Sequence, residues 1–415
     1  MWENGIDIYS VRVIRTRTNL YFGVGAIQYF ADIADQLTAR GITSVLVVTG
    51  RSSYKRTGAW EVVEKILNSR KISYALYDRV TPNPTTMQAD EATALGKGIR
   101  AQAVIAIGGG SPIDTGKSAA ILLRHPGKTA RELFSQGFTP EGALPIVAVN
   151  LTHGTGTEVN RFAVLSIPET EQKPVIAFDC IYPTWSIDDP ALMTGLSKEQ
   201  TRFVSIDAVN HVIEAATSKS TNPLAVMLGK NTIELVVRYL PFAEKDPGDL
   251  NARYFLLYAS MLGGLSFDNG LLHYTHALEH PLSALKPELS HGLGLCLPAP
   301  GRGPGDLSAG VVHPRRPAQA DRAGPRRQTR RGPRSRQSGP DLAQQMRRDS
   351  EALRRRLPER GYRQARRHDH QGTVARRPAR TGAGLRERHF GRRNLHEFVH
   401  ASGLIVRQAA VSPAG

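Results

Sequence analysis

Three short apolar runs do most to limit the folds open to this chain. They are Ser44–Gly50 (SVLVVTG), Ala103–Gly110 (AVIAIGGG) and the LPIVAV stretch just before Asn150. Short Val-rich runs with no polar alternation read as strands buried on both faces. Segments of helical periodicity lie between them. AIQYFADIADQLTARG closes at Gly41, a C-cap residue type. AWEVVEKILNSRKI follows, and PNPTTMQADEATALGKGIRA opens another helix. The segment Leu20–Gly25 reads as a strand and turn, and SYALYDRV as extended. Short strands alternating with amphipathic helices predict an α/β domain with a parallel sheet and crossover helices.

Glycines mark where such a sheet would bind a ligand. Gly108, Gly109, Gly110 and Ser111 end one strand and open a helix running from about Pro112 to Leu123, with Pro112 suited to the first turn. Glycines let a backbone come close to a phosphate, and a helix N-terminus offers free N–H groups. The spacing is not the usual G-x-G-x-x-G, and a simple tight turn explains it too. A second clue lies at Gly50. The residue ending this strand is often an acid in NAD-binding folds, where it holds the ribose 2′-OH and repels a 2′-phosphate. Here VVTGRSSYKR replaces the acid with Gly50, and Arg51, Ser52, Ser53 and Lys55 offer charge and donors. That favours NADP(H) over NAD(H), against the plainer reading of a solvated basic face.

After Leu196 the pattern changes to long helical segments: TRFVSIDAVNHVIEAATSK, LAVMLGKNTIELVVRYL and ARYFLLYASMLGGLSF. Ser197 with Gln200 forms a candidate capping box for the first. Five of the chain's 13 histidines fall between Ser205 and Leu297. Asp207 and His211 are four apart and share a helix face, as do His276 and His280; His291 follows a turn at Pro287. A carboxylate with several imidazoles suits a divalent first-row ion such as Fe²⁺ or Zn²⁺.

The residues from Ser205 to Pro298 resemble the iron-containing (group III) alcohol dehydrogenase family. SIDAVNHVIE matches its G-I-D-A-x-x-H-x-x-E segment, LSFDNGLLHYTHALEHPL its double-histidine segment, and HGLGLCLP its closing H-G…L-P. GGGSPIDTGK, Gly108–Lys117, matches the family's G-G-G-S-x-x-D-x-x-K, a resemblance that implies cofactor binding by Gly108–Ser111 and Asp114. NLTHGTGTEVN matches T-T-A-G-T-G-S-E, with Leu151 and His153 departing from it. The resemblance implies metal ligation by Asp207, His211, His276 and His291, with Fe²⁺ as the ion and Zn²⁺ as the alternative. It implies a non-ligand His280 that relays a proton or positions the nicotinamide, and cofactor contacts from Thr152, Thr155 and Lys173. His273 stands where the family has a small residue and reads as structural or surface. The implied reaction is hydride transfer between NADP or NAD and a small alcohol or aldehyde. A polyol dehydrogenase or a relative of dehydroquinate synthase shares the pattern. WSIDDPALMTGL resembles the family's domain crossing. The expected organisation is an α/β NAD(P)-binding domain over 1–189, an all-helical metal-binding domain over 190–298, and the site in the cleft between them. Dimers are common in the family, so a homodimer is expected.

At 415 residues the chain is long enough for two domains. Cys180 and Cys296 make no disulfide framework. No leader pattern is present, and no apolar run reaches about 18 residues. A reducing, cytoplasmic setting and no membrane span are expected.

The net charge of +17 is unevenly spread. Residues 301–415 hold 27 arginines, no lysine and 9 acids, which leaves residues 1–300 one charge from neutral. The family pattern stops near Pro298, and the tail of 299–415 is an Arg-, Gly- and Pro-rich segment with the composition of disorder. GC-rich DNA read out of frame yields such a composition. With permissible codons, Glu387–Ser402 shifted by one base resembles the family's closing pattern. A basic nucleic-acid-binding arm is the competing reading, but near-absent aromatics leave no stacking platform. An inactive relic, lacking the helices that should cover its core, is a third.

Overall fold

The computed structural model describes residues 17–296, together with Tyr9 and the backbone of residues 12–15. The readings of the tail as frameshifted, nucleic-acid-binding or disabling lie outside these residues. The strands are β1 (Arg12–Arg15), β2 (Asn19–Phe22), β3 (Ser44–Gly50), β4 (Ser73–Val80), β5 (Ala103–Gly108), β6 (Ile146–Asn150), β7 (Phe162–Val164), β8 (Val175–Ala177) and β9 (Trp185–Asp188). Seven of them form one sheet in the order β1-β2-β9-β6-β5-β3-β4. Only the β1–β2 pair is antiparallel; the other six strands run parallel. β7 and β8 form a separate antiparallel hairpin.

The apolar runs explain this sheet. β3, β5 and β6 are buried along almost their whole length, as strands covered on both faces must be. Alternate side chains serve opposite cores. Val45, Val47, Ile105 and Ile107 pack with Phe30, Ile33, Val63 and Leu67 on one face. Leu46, Val48 and Val104 pack with Ala89, Ala92, Ala119 and Leu122 on the other. The covering helices are α1 (Phe30–Ala39), α2 (Ser53–Arg56), α3 (Ala59–Ser69), α4 (Thr86–Gly98), α5 (Gly110–Arg124) and α6 (Ala130–Phe134). α5 begins two residues before the expected start at Pro112, so Gly110 and Ser111 belong to its first turn.

The strand order sets where a ligand can sit. From β3 the chain crosses to β4 at the sheet edge, then returns past β3 to β5. The winding reverses between β3 and β5, and the crevice at such a switch point opens beyond the strands' carboxyl ends. Gly50 ends β3 and Gly108 ends β5.

The helical region comprises α7 (Lys198–Thr217), α8 (Pro223–Lys245), α9 (Leu250–Gly270), α10 (Tyr274–Leu285) and α11 (His291–Leu295). Ser197 caps α7 by accepting from Gln200 N at 3.1 Å, so one half of the expected capping box is formed. Asn222 and Asp249 cap α8 and α9 in the same way. α10 has no cap from its own preceding residue, His273. No helix among the described residues is long and apolar enough to cross a membrane.

Candidate active site

The two glycine- and threonine-rich segments lie face to face at the switch point. Gly109 has room for no side chain, because a Cβ there would stand 2.7 Å from Thr152 Oγ1. A Cβ on Gly110 would stand 2.7 Å from Thr155 Cγ2. Gly108–Ser111, Thr152 and Thr155 therefore form one surface at the N-terminus of α5. Gly50 is beside it, since Thr49 pairs with Ile107 one residue earlier in each strand. Gly50 itself is not crowded: a Cβ would meet Val80 O at an ordinary 3.5 Å. Arg51, Ser52 and Lys55 beyond it are exposed.

Asp114 sits behind this surface, not on it. Its carboxylate accepts from Thr157 Oγ1 at 2.7 Å and from Val164 N at 3.0 Å, tying α5 to β7. Burial raises its pKa. Lys117, one turn on, is wholly buried. The three N–H groups of its Nζ are shared among four oxygens, Thr157 O (2.7 Å), Thr157 Oγ1 (2.8 Å), Asn160 O (3.0 Å) and Phe162 O (2.8 Å). Burial pushes its pKa down to about 8, against the pull of Asp114 and Glu158. The lysine thus pins the loop that carries Thr152 and Thr155. That loop also touches the helices: Gly156 adopts φ +58°, and a Cβ on Gly264 of α9 would come within 2.8 Å of Gly156 Cα. His153 is buried with its Nε2 3.2 Å from Arg253 Nη1. Burial and that guanidinium hold its pKa down to about 3. It packs the loop against Arg253 of α9.

The histidines converge on Asp207. On α7, Asp207 and His211 project from one face; α10 supplies His276 and α11 begins with His291. Asp207 Oδ1 lies 3.4 Å from His211 Nε2, 3.5 Å from His276 Nε2 and 3.7 Å from His291 Nε2. Ligand atoms about 2.1 Å from one tetrahedral ion are about 3.4 Å apart, so each of the three nitrogens stands near ligand spacing from Asp207 Oδ1, and the ligand atoms of Asp207, His276 and His291 all lie within 4.8 Å of one another. Asp207 Oδ1 and His276 Nε2 are buried and have no hydrogen-bond partner among the described residues. Burial alone would raise the Asp207 carboxyl, but the three imidazoles outweigh it and hold it well below the usual carboxylate range. Burial lowers His211 to about 4 despite Asp207. The residues present therefore fit a divalent cation.

A second layer surrounds this set. Glu214 Oε2 lies 3.1 Å from His276 Nδ1. Glu279 Oε2 lies 2.6 Å from His291 Nδ1. Lys173 stands here and not at the glycine surface: Nζ donates to Asn83 Oδ1 (2.8 Å) and Ser283 Oγ (2.9 Å) and is 3.7 Å from Glu279 Oε2. His280 is on the same side of α10, with its ring 6.0 Å from that of His276 and 5.7 Å from that of His291. Burial and the charge of Lys173 hold its pKa well below the ordinary value, so it is neutral. His273 stays outside, bonded through Nε2 to Thr217 Oγ1 at 2.9 Å.

Sequence reasoning missed Glu214, Glu279 and Lys117 as parts of the site. Glu214 carried a signal, since it lies seven residues after Asp207 and hence on the same helix face. Glu279 carried a signal of the same kind, since it lies three residues after His276 and both are buried on one face of α10.

Comparisons with known proteins identify the family. Residues 17–190 match the family model for iron-containing alcohol dehydrogenase, and residues 203–301 match that for the C-terminal part of the same family. Long-chain primary alcohol dehydrogenase AdhA of Thermoanaerobacter ethanolicus is 58% identical over 295 residues, 71% of this chain and 74% of that protein. A 1,3-propanediol dehydrogenase of Klebsiella pneumoniae is 34% identical, over 66% of this chain and 70% of the relative. Among solved structures, the NADH-dependent butanol dehydrogenase A of Thermotoga maritima superposes with a TM-score of 0.63 at 29% identity, covering 69% of this chain and 72% of that one. With both family models matched in sequence order and three quarters of a 58% identical relative spanned, the chain belongs to the iron-containing alcohol dehydrogenase family.

Proposed function

We propose that the chain interconverts a primary alcohol and its aldehyde with NADP(H), using a divalent ion held by Asp207, His211, His276 and His291. Fe²⁺ is favoured over Zn²⁺ because the family is the iron-containing one. The observation that carries the reading is the buried, partnerless Asp207 Oδ1 with three imidazole nitrogens 3.4–3.7 Å from it. When bound there, a divalent cation supplies Lewis acidity toward an alcohol or carbonyl oxygen. The chain's own residues do the rest. Gly108–Ser111, Thr152 and Thr155 bind the dinucleotide's phosphates and orient the nicotinamide. His280 is neutral and takes up the alcohol proton at a ring nitrogen or positions the nicotinamide. Lys173 holds Glu279 and the back of α10 in place. Residues 1–189 serve the cofactor and residues 190–298 the ion, in a cytoplasmic homodimer.

NADP(H) is preferred on the basis of Gly50. No acid stands there to repel a 2′-phosphate, although the backbone has room for one, and Arg51, Ser52 and Lys55 are exposed nearby. A long-chain primary alcohol is the first substrate to test, given the name of the 58% identical relative. A diol dehydrogenase is the second reading, favoured by the propanediol enzyme at 34% identity. The test is anaerobic, Fe²⁺-reconstituted reduction of an aldehyde series with NADPH and with NADH. Turnover that a chelator abolishes supports the reading. Turnover indifferent to chelator, or none with any aldehyde, overturns it.

A further inference from the structure

One carboxylate serves both the backbone of α10 and the ring of His276. The first N–H groups of a helix lack intrahelical acceptors. His273 provides no side-chain cap for α10. Glu214, reaching across from α7, supplies one. Its Oε2 accepts from His273 N at 3.0 Å, and its Oε1 accepts from Thr275 N and from His276 N at 3.1 Å. The same Oε2 is 3.1 Å from His276 Nδ1. An ionised carboxylate can only accept, so Nδ1 carries a proton, and in the neutral ring that a cation requires Nε2 keeps its lone pair. The ring cannot turn away, because His211 stacks on it at 4.7 Å between centroids and 13° between planes. Asp207, His211 and Glu214 lie at i, i+4 and i+7 of α7. One helix face thus offers two groups to the ion and one to a neighbour's ring.

We infer that Glu214 is a positioning residue for the metal centre, fixing both the tautomer and the plane of His276 so that Nε2 faces Asp207. The inference rests on the reading of Asp207, His211, His276 and His291 as the ion's ligands. Its contrast lies within the same cluster: His211 Nδ1 has no hydrogen-bond partner among the described residues. The tautomer of His276 is specified by a charge and that of His211 is not.

The experiment compares Glu214→Gln with the full-length wild-type protein, using Co²⁺ as the probe ion. The amide oxygen of a glutamine can replace only one carboxylate oxygen. Its NH₂ then faces two donors, His273 N–H and His276 Nδ1–H. The ring escapes that clash in its other tautomer, with a proton on Nε2 where the ion belongs. Co²⁺ affinity should fall about 10- to 100-fold, with a changed visible absorption spectrum and with NADPH binding kept. In a His276→Ala background, Glu214→Gln should alter Co²⁺ affinity by less than about twofold, since the residue it acts through is gone. Equal losses in both backgrounds, or a Gln variant with wild-type affinity and spectrum, would reduce Glu214 to a helix cap and overturn the inference. Failure of the ligand reading looks different: wild-type and Asp207→Asn proteins would bind Co²⁺ alike, and the inference would fall with its premise. Should the Gln variant not fold, ¹⁵N-imidazole NMR of the zinc-loaded wild type decides. A slowly exchanging His276 Nδ1–H is expected; ligation through Nδ1, or a freely exchanging proton, overturns it.

Discussion

Around Gly109 and Gly110 the shape of the site comes from atoms left out, whereas around Asp207 it comes from ionisable groups crowded together. On the dinucleotide side, threonine side chains occupy the space that a Cβ on either glycine would need, and the loop is tied down by a lysine bonded largely to backbone oxygens. On the ion side, the backbone is ordinary helix, and position is set by carboxylates standing behind imidazoles. The first tolerates no added volume at Gly109 or Gly110. The second tolerates no changed charge. Mutations should sort accordingly.

The largest effect is expected from His276→Ala. Removing an imidazole from the cluster should cost on the order of 10³-fold in turnover, with metal bound more weakly but measurably and NADPH affinity kept; metal and fluorescence titrations check both. Retained turnover would show that the imidazole cluster is dispensable for the reaction. Lys117→Met should destabilise the fold by about 3 kcal/mol, because several buried oxygens lose their donor at once. Urea unfolding measures it, and loss of metal affinity without loss of stability would contradict the structural role. Gly109→Ala adds one methyl against Thr152 and should cost about 1–3 kcal/mol of overpacking. The result should appear as weaker NADPH binding with Co²⁺ affinity unchanged. Gly50→Asp should move the NADPH/NADH preference toward NADH by on the order of tenfold, read from kcat/KM for each cofactor.

The smallest effect is on pH dependence, through His153. Its folded pKa is pushed down to about 3 by burial beside Arg253, against about 6.5 in an unfolded chain. Between those values the unfolded state binds the extra proton, so stability falls as pH drops through that window. At about pH 5.5 the loss is about 1 kcal/mol relative to neutral pH. His153→Ala should flatten that slope in thermal melts taken from pH 7 to 5; an unchanged slope would show that His153 does not carry it.

The sequence was most informative where local pattern and burial coincide. β3, β4 and β5 begin where their apolar or extended runs begin, and β3 and β4 keep the expected ends. Asp207 with His211, and His276 with His280, could be paired from helical spacing, but only a family resemblance separated the expected ligand His276 from its neighbour His280. The rest depended on contacts between residues distant in sequence. Glu214 meets His276 across 62 positions, Lys117 meets Asn160 across 43, and His153 meets Arg253 across 100. Lys173 shows the reverse case. A single lysine in an extended segment gives no local hint of direction, and here it turns toward α10, to Ser283 and Glu279.

The buried Nζ of Lys117 has a practical consequence. Surrounded by oxygens of Thr157, Asn160 and Phe162, it fills the role that a bound potassium ion could fill, but as a cation tethered to α5. A tethered cation is not diluted away, exchanged for sodium or removed by a chelator. The dinucleotide half should therefore stay assembled while the ion half is emptied. The protein can be stripped and reloaded with different metals as one would change a lamp in a fixed socket.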